Sequence, residues 1–538
     1  MADTTETTPP RATANRSTTP ASDVFSDFIS SNWAERDEVT PAPREQASYA
    51  AARRERISRL HPGRTLVFPA GDPKVRSNDT DYPYRAHSAF AHLTGWGSDT
   101  VPGSVLVLTP TPGGTVAGET PADEPTAGGH TAVLYFREGA GRDSDEFYAN
   151  SDIGEFWTGP RPSPAHVTAD LGIETRSLSE LAAVLDGLDA NALVVRGADR
   201  EIADAVDATR TLLEAGSAGD TPSAPTDASV AGAGAADPGD TADAADSAAD
   251  EHTDDSLARD ASELRLVKDD FEIAEMRAAV AATAQGFDDV IADLPAIVAH
   301  PRGERLVEGT FYRRARAEGN TVGYDTIAAS GPHACILHWT RNDGPVVPGD
   351  LILLDAGIEL DSYYTADITR TFPISGTFTD VQRRVYEAVL EAADAAFRIV
   401  RPGIRFREIH QAAMAVIAER TAEWGLLPVS AEESLRPENQ FHRRYMVHGT
   451  SHHLGIDVHD CAQARRELYL DGVLEAGMVF TIEPGLYFQP DDLSVPEEYR
   501  GLGVRIEDDI LVTETGAENL SVHIPRTADA VEAWLAGR

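Results

Sequence analysis

Cysteine is nearly absent. Cys335 and Cys461 are the only two in 538 residues, which excludes a disulfide framework and leads us to expect a reducing, cytoplasmic setting. No apolar run approaches the length of a transmembrane span, and the opening MADTTETTPPRATANRSTTP lacks the apolar core of a signal peptide. Basic residues are scarce: 46 Lys and Arg stand against 88 Asp and Glu, a formal net charge of −42. Such a surface repels nucleic acid and anionic lipid, so neither is expected as a partner. Between Gly216 and Leu257 the scarcity is complete: that stretch has no Lys or Arg and is mostly Ala, Gly, Asp, Ser, Thr and Pro. A composition of this kind cannot bury enough apolar surface to offset its ordering entropy.

What remains is enough for more than one core, since 41% of the chain is hydrophobic. The expected organisation is a disordered tail over residues 1–45, a mixed α/β domain over 46–215, a disordered acidic linker over 216–257 and a second domain over 258–538. In the first domain, strand-like runs (Leu66 to Phe68, Val105 to Leu108, Ala132 to Phe136, Ala192 to Val195) alternate with helical stretches (Gln46 to Leu60, Ser177 to Leu188). Pro112 to His130 reads as a long hairpin loop. Phe271 to Val298 has helical periodicity and opens the second domain.

The chemistry is concentrated in the last third. LILLDAGIELDSYYTADITRTF, Leu351 to Phe372, reads as a hairpin after the turn signal Pro348-Gly349-Asp350. Asp355 and Asp367 are equidistant from Asp361, so antiparallel pairing about that midpoint sets them side by side, with Cβ atoms roughly 5 Å apart. A lone Asp within Leu-Ile-Leu-Leu is costly to bury unless it is paired or metal-bound; the alternative is a hairpin end in solvent. Glu483 in TIEPGLYF and Glu507 in GVRIEDDILV likewise interrupt β-prone segments, although either alone reads better as a solvated strand residue. Between them His448 to Asp460 reads HGTSHHLGIDVHD, four histidines where the whole chain has 16. Gly449, Gly455 and the Thr-Ser pair favour a turn-rich segment over a zinc-binding helix. Four ionised carboxylates and a neutral imidazole match the charge of two divalent cations while leaving room for a shared water.

In combination, ILHWTRND, LLDAG followed by ADITRTF, HGTSHHLGIDVHD, TIEPGLY and VRIEDDI resemble the pita-bread metallopeptidases, most closely the Xaa-Pro aminopeptidases (aminopeptidase P), with prolidase a near relative. The resemblance runs from about Ser262 to the C-terminus and more weakly over Arg76 to Trp96 and Ser144 to Ser163. It implies an α/β (α+β) chain whose catalytic domain has the pita-bread fold with an antiparallel sheet. It also implies metal ligands Asp355, Asp367, His452, Glu483 and Glu507. Of these, Asp367 and Glu507 bridge the two ions, and Glu483 doubles as general base. His338 and His459 are implied as donors to the scissile carbonyl, and His448, Tyr324, Leu337, Val458 and Arg505 as lining the proline side. An oxygen-rich set with one imidazole and no thiolate favours Mn²⁺.

The expected function is hydrolysis of the bond between an amino-terminal residue and a following proline, with peptides carrying proline second as partners. A dimer or tetramer is implied by the family. Prolidase activity on dipeptides is the nearer alternative, and a binding module that keeps the fold but not the ligands the more distant one. One departure from the family stands at Ala91 and His92. There aminopeptidases P often carry aromatic residues that reach an active site across a subunit contact, and that contact is therefore in doubt.

Overall fold

A computed structural model of the chain describes residues 20, 22–34, 38–111, 129–217 and 252–537. The chain divides into two compact units. One comprises Met1–Pro43, Arg54–Phe90 and Val101–Ala258, the other Arg44–Arg53, Ala91–Thr100 and Arg259–Arg538.

The first unit is built on a five-stranded mixed sheet. Its strands are β1 (Leu66–Pro69), β2 (Val105–Pro110), β3 (His130–Phe136), β4 (Glu174–Ser177) and β5 (Leu193–Val194), in the order β4-β3-β2-β1-β5. The hairpin β2–β3 runs from Val105 opposite Tyr135 to Pro110 opposite His130; the loop expected within Pro112 to His130 lies almost wholly outside the described residues. Because strand side chains alternate between faces, Val105, Val107, Val133 and Tyr135 fall on one side. There they pack with Leu181, Leu185, Ala203 and Val206 from helices.

Two expectations about irregular segments differ from the structure. Within the presumed tail, Asp23–Ser30 is a helix (α1), with the Ser22 side chain accepting from Phe25 N at its N-terminus. Phe25 meets Tyr148 edge-on at 5.6 Å, Trp33 meets Phe147 at 5.8 Å, and Arg142 lies 4.0 Å over Trp33. These aromatics supply the apolar area that the polar composition around them conceals. The presumed linker lies mostly outside the described residues, but both its ends are helical. Gly216 and Ser217 finish one helix, Arg200–Ser217, and Asp254–Leu257 begin another, Asp254–Glu263. Asp254 accepts from Val194 N at 2.8 Å and pairs with Arg210 at 2.7 Å.

The second unit repeats one pattern: a pair of packed helices, then a three-stranded antiparallel sheet. The first pair is α2 (Asp270–Ala299) and α3 (Gly303–Glu318), followed by the sheet β8-β7-β6, made of β6 (Ile327–Ser330), β7 (Leu351–Ala356) and β8 (Ile368–Pro373). The second pair is α4 (Asp380–Ile399) and α5 (Phe406–Glu423). Its strands are β9 (Val479–Ile482), β10 (Gly485–Tyr487), β11 (Gly503–Arg505), β12 (Asp508–Val512) and β13 (Ala517–Asn519). They form the sheet β9-β12-β13 and the ribbon β10-β11. Helix α2 begins at a reciprocal cap between Asp269 and Glu272, and α4 at one between Thr379 and Gln382. On α4, Val385, Tyr386, Ala388, Val389, Ala392, Ala393 and Ala396 form the buried stripe that a 3.6-residue period requires.

Candidate active site

Both hairpins of the second unit deliver carboxylates to one place. Every residue of β7, LILLDA, is buried, so Asp355 stands in an apolar strand where its charge needs compensation. Its strand partner is Thr369, not Asp367: the register runs from Leu351 opposite Pro373 to Ala356 opposite Ile368. The expected pairing about Asp361 is therefore displaced. The turn closes from Tyr363 N to Leu360 O, with Tyr363 in the left-handed region at φ 73, which centres the hairpin on Ser362. Asp367 becomes a diagonal neighbour of Asp355 on the same face. Next to it in the hairpin, Gly357 must stay bare, since a Cβ there would lie 1.7 Å from Ala366 O.

In the second hairpin Ile482 faces Asp508 and Gly485 faces Arg505, so the unpaired step between them sets Glu483 opposite Glu507. The turn-rich HGTSHH segment is laid along β9: Thr481 N donates to His452 O at 2.9 Å, and Glu483 N to Thr450 O at 2.8 Å. His452 Nε2 then stands 3.3 Å from Asp367, 3.8 Å from Glu483 and 4.0 Å from Glu507. Asp367, His452 and Glu507 each offer a ligand atom, all within 4.8 Å of one another.

The electrostatics are those of crowded, buried anions. Burial first, and then Asp367, Glu483 and Asp355, push Glu507 well above the usual carboxylate range. Burial also raises Glu483, to about 7, although His452 and Arg505 oppose the shift. Asp355 is raised by burial against the pull of Arg505. For His452, burial favours the neutral ring, but Asp367 and Glu483 outweigh it and hold the group at about 9. Four carboxylates thus share one guanidinium and one imidazole, a donor set with an excess of negative charge that divalent cations fit.

The remaining expected site residues divide into two groups. Tyr324 and Arg505, expected on the proline side, are committed to the carboxylates: Tyr324 OH lies 2.6 Å from Asp355 and also within hydrogen-bonding reach of Asp367, its one proton shared between them, and Arg505 pairs with Asp355. Arg505 continues to Thr369 Oγ1 at 3.1 Å and Tyr487 OH at 3.1 Å. His448, Leu337, Val458, His338 and His459 are half-buried or exposed around the cluster. The His448 Nε2 pairs with Tyr487 OH at 2.8 Å, and burial followed by Arg505 lowers this imidazole to about 3. Leu337 packs against a cluster that includes Tyr487. The His459 ring meets His452 edge-on at 4.4 Å, and its pKa is lowered by burial and then by the charges of His452 and His338.

Four residues add to the sequence account. Tyr487 joins His448 to Arg505. Thr369 Oγ1 donates to Glu507 at 2.7 Å. Asp509, wholly buried, accepts from Asp367 N at 3.2 Å; alternation in GVRIEDDI places it on the same face as Glu507, a signal already present in the sequence. His453, one of the four clustered histidines, belongs to the core, stacked on Phe406 at 4.5 Å. His92 is buried 3.3 Å from Glu272, so its ring is committed within this unit. The two cysteines are free and buried, and burial raises Cys335 to about 12.

The family model for metallopeptidase family M24 matches residues 274–514, and that for the aminopeptidase P N-terminal domain matches residues 49–194. A Streptomyces coelicolor protein, Xaa-Pro aminopeptidase 2, is 46% identical over 513 residues, covering 95% of this chain and 96% of its own. The Xaa-Pro aminopeptidase of Escherichia coli is 32% identical over 495 residues, covering 89% and 95%. The solved low-pH form of Escherichia coli aminopeptidase P superposes with a TM-score of 0.71 at 30% identity, covering 92% of this chain and 99% of that one. Both the mixed α/β amino-terminal domain and the pita-bread domain are shared with that structure.

Proposed function

The chain belongs to metallopeptidase family M24, and within it to the Xaa-Pro aminopeptidases, and we propose that its buried carboxylate cluster is the catalytic centre. It is a hydrolase that releases the amino-terminal residue from peptides with proline second. Asp355, Asp367, His452, Glu483 and Glu507 would hold two divalent cations. The observation that carries this is the convergence of four buried carboxylates and one imidazole on two facing hairpin steps, where burial first and then neighbouring acids push Glu483 and Glu507 upward while His452 helps to hold Asp367 down. Oxygen donors predominate and no thiolate takes part, which favours manganese. When bound, the cations supply Lewis-acid polarisation and a water acidified toward neutrality.

The residues of the chain do the rest. Glu483 takes the proton of the attacking water and returns it to the leaving proline nitrogen, an exchange open to a carboxylate within reach of both. His459 and His338 donate to the scissile carbonyl oxygen as its charge grows. Tyr324 and Arg505 fix the carboxylates that receive them. Leu337, Val458 and His448 bound the proline side, with Tyr487 linking His448 to the surface Leu337 packs on.

Proline brings no amide N–H that such a pocket would have to satisfy. Any other residue there would bury a donor without a partner, at a cost of about 1 to 3 kcal/mol, and lose the ring's contacts as well. The test is release of the first residue from Ala-Pro-Ala, Ala-Ala-Ala, acetyl-Ala-Pro-Ala and the dipeptide Ala-Pro with added manganese. We expect Ala-Pro-Ala to be cleaved at least about a hundredfold faster than Ala-Ala-Ala and the acetylated peptide to be spared. Comparable cleavage of Ala-Ala-Ala would remove the proline pocket, and a preference for Ala-Pro would make the enzyme a prolidase. Two unpaired cysteines and the acidic surface favour a cytoplasmic enzyme with neither nucleic acid nor membrane as partner. Among the described residues no helix is long and apolar enough to cross a membrane. A dimer or tetramer is the family's implication, open to light scattering.

A further inference from the structure

We propose that Glu304 is a positioning residue that sets His338 for its contact with the scissile carbonyl, acting through the loop from Gly331 to Gly344. Glu304 lies in the first turn of α3, with no exposed surface. Its Oε1 accepts from Ser330 N at 2.8 Å and meets His333 Nδ1 at 2.7 Å. Its Oε2 accepts from Trp339 Nε1 at 2.9 Å and Gly344 N at 2.6 Å. Glu304 N in turn donates to Gly344 O at 3.2 Å. One carboxylate therefore gathers the start of the loop, its end and the residue immediately after His338.

The gathered groups are also packed on one another. His333 and Trp339 stack with centroids 3.8 Å apart, and Arg341 lies 5.3 Å over the Trp339 ring. Gly344 is held to glycine, since a Cβ there would come within 2.9 Å of Glu304 Oε2 and 2.7 Å of His333 Cε1. On the far side Asn342, at φ 46, donates to Thr326 O at 2.8 Å and accepts from Ala328 N at 2.9 Å. His338 itself is exposed, so its placement derives from this frame. A buried carboxylate satisfied by four donors, three from the loop and one from the end of β6, fixes geometry at a cost that burial of a plain side chain would avoid. Supporting groups of this kind typically carry a tenfold to hundredfold effect on activity.

The inference rests on the reading of His338 as a carbonyl-side donor, and its test separates the two. Full-length Glu304→Gln, His338→Ala, the double variant and Trp339→Phe are assayed on Ala-Pro-Ala with manganese for kcat, KM, metal content and melting temperature. Glu304→Gln keeps the shape but turns a donor toward donors. It should lose on the order of tenfold or more in kcat, with KM and both metals retained. In the His338→Ala background the same change should cost less than about twofold further, because the residue it positions is gone. Trp339→Phe keeps the stack and removes one donor, so it should lose several-fold in kcat, also absorbed by His338→Ala; it serves if Glu304→Gln fails to fold. Wild-type kcat in His338→Ala would overturn the reading of His338. Wild-type kcat in Glu304→Gln and Trp339→Phe while His338→Ala is impaired, or losses that add fully in the double variant, would overturn the positioning role alone.

Discussion

At the scale of the residue, the decisive feature is that a buried carboxylate cannot stand alone. Asp355 in the apolar β7 is compensated by Arg505 and Tyr324, and on the proposed reading it would also be compensated by metal. Asp355→Asn keeps the shape and removes the charge, so metal occupancy and turnover should fall together; full occupancy by two ions with normal turnover would make Asp355 an ordinary strand residue. His459→Ala should behave differently. A donor to charge that develops only in the transition state is worth on the order of a hundredfold in kcat, so this variant should keep its metals and most of its KM. Unchanged kcat would take His459 out of the mechanism. The five ligand candidates were legible only in combination, through the resemblance of their motifs to the pita-bread metallopeptidases, since an isolated strand Glu has an ordinary solvated use and His453 of the same cluster belongs to the core. Where Tyr324 and Arg505 point was not. Both are long side chains: Tyr324 precedes β6 and Arg505 ends β11, so their reach depends on how those two strands meet β7, and no spacing in the sequence encodes that.

At the scale of the element, periodicity revealed the types and missed a register. The helix Gln46–Leu60 and strands β1, β2 and β3 follow from apolar spacing, and α2 differs from its expected span by one residue at each end. The β7–β8 hairpin is offset because its turn uses Tyr363 with positive φ, a role the sequence does not announce with Gly or Asn. A second element-level device joins the HGTSHHLGIDVHD segment to the start of the catalytic unit. Asp460 pairs with Arg265 at 2.7 Å and Lys268 at 3.2 Å, all three buried. Burial would raise Asp460, but these two cations outweigh it and hold the group at about 2, below its ordinary value. A depressed acid contributes stability that is complete above its unfolded pKa, about 4, and is lost as pH falls through the folded value. Asp460→Asn leaves two buried cations unpaired and should cost about 3 to 5 kcal/mol at neutral pH. In urea unfolding, the wild-type advantage should stay level above about pH 4 and narrow toward pH 2. An advantage that fails to narrow would mean that packing, not charge, holds the segment.

At the scale of the whole molecule, composition led us to expect two domains with an acidic stretch between them, and the described residues differ from that expectation at its edges. Helix α1 escaped because three aromatic residues, Phe25, Phe28 and Trp33, stand among polar ones, and tertiary contacts such as Phe25 with Tyr148 decide its order. The acidic stretch was drawn too wide for a similar reason: Asp254 looks like one more acid in a run, yet Arg210, Arg196 and Val194 N all converge on it. Those contacts fix which residues are dispensable. A deletion reaching Leu257 would remove the Asp254 anchor and the first turn of its helix, whereas replacing only residues 218–251 with about a dozen Gly and Ser leaves both flanking helices whole. Closure entropy grows as the logarithm of loop length, so shortening the connection about threefold should stabilise the fold by on the order of 1 kcal/mol at most. Specific activity on Ala-Pro-Ala should stay within about twofold of the parent, since the proposed ligands and carbonyl donors all lie beyond residue 300 in the sequence. The same replacement extended to Leu257 should lower the melting temperature, because Arg196 and Arg210 then lose their shared carboxylate. If the shorter replacement abolished activity while its melting temperature held, the acidic stretch would have a role in substrate access that its composition does not reveal.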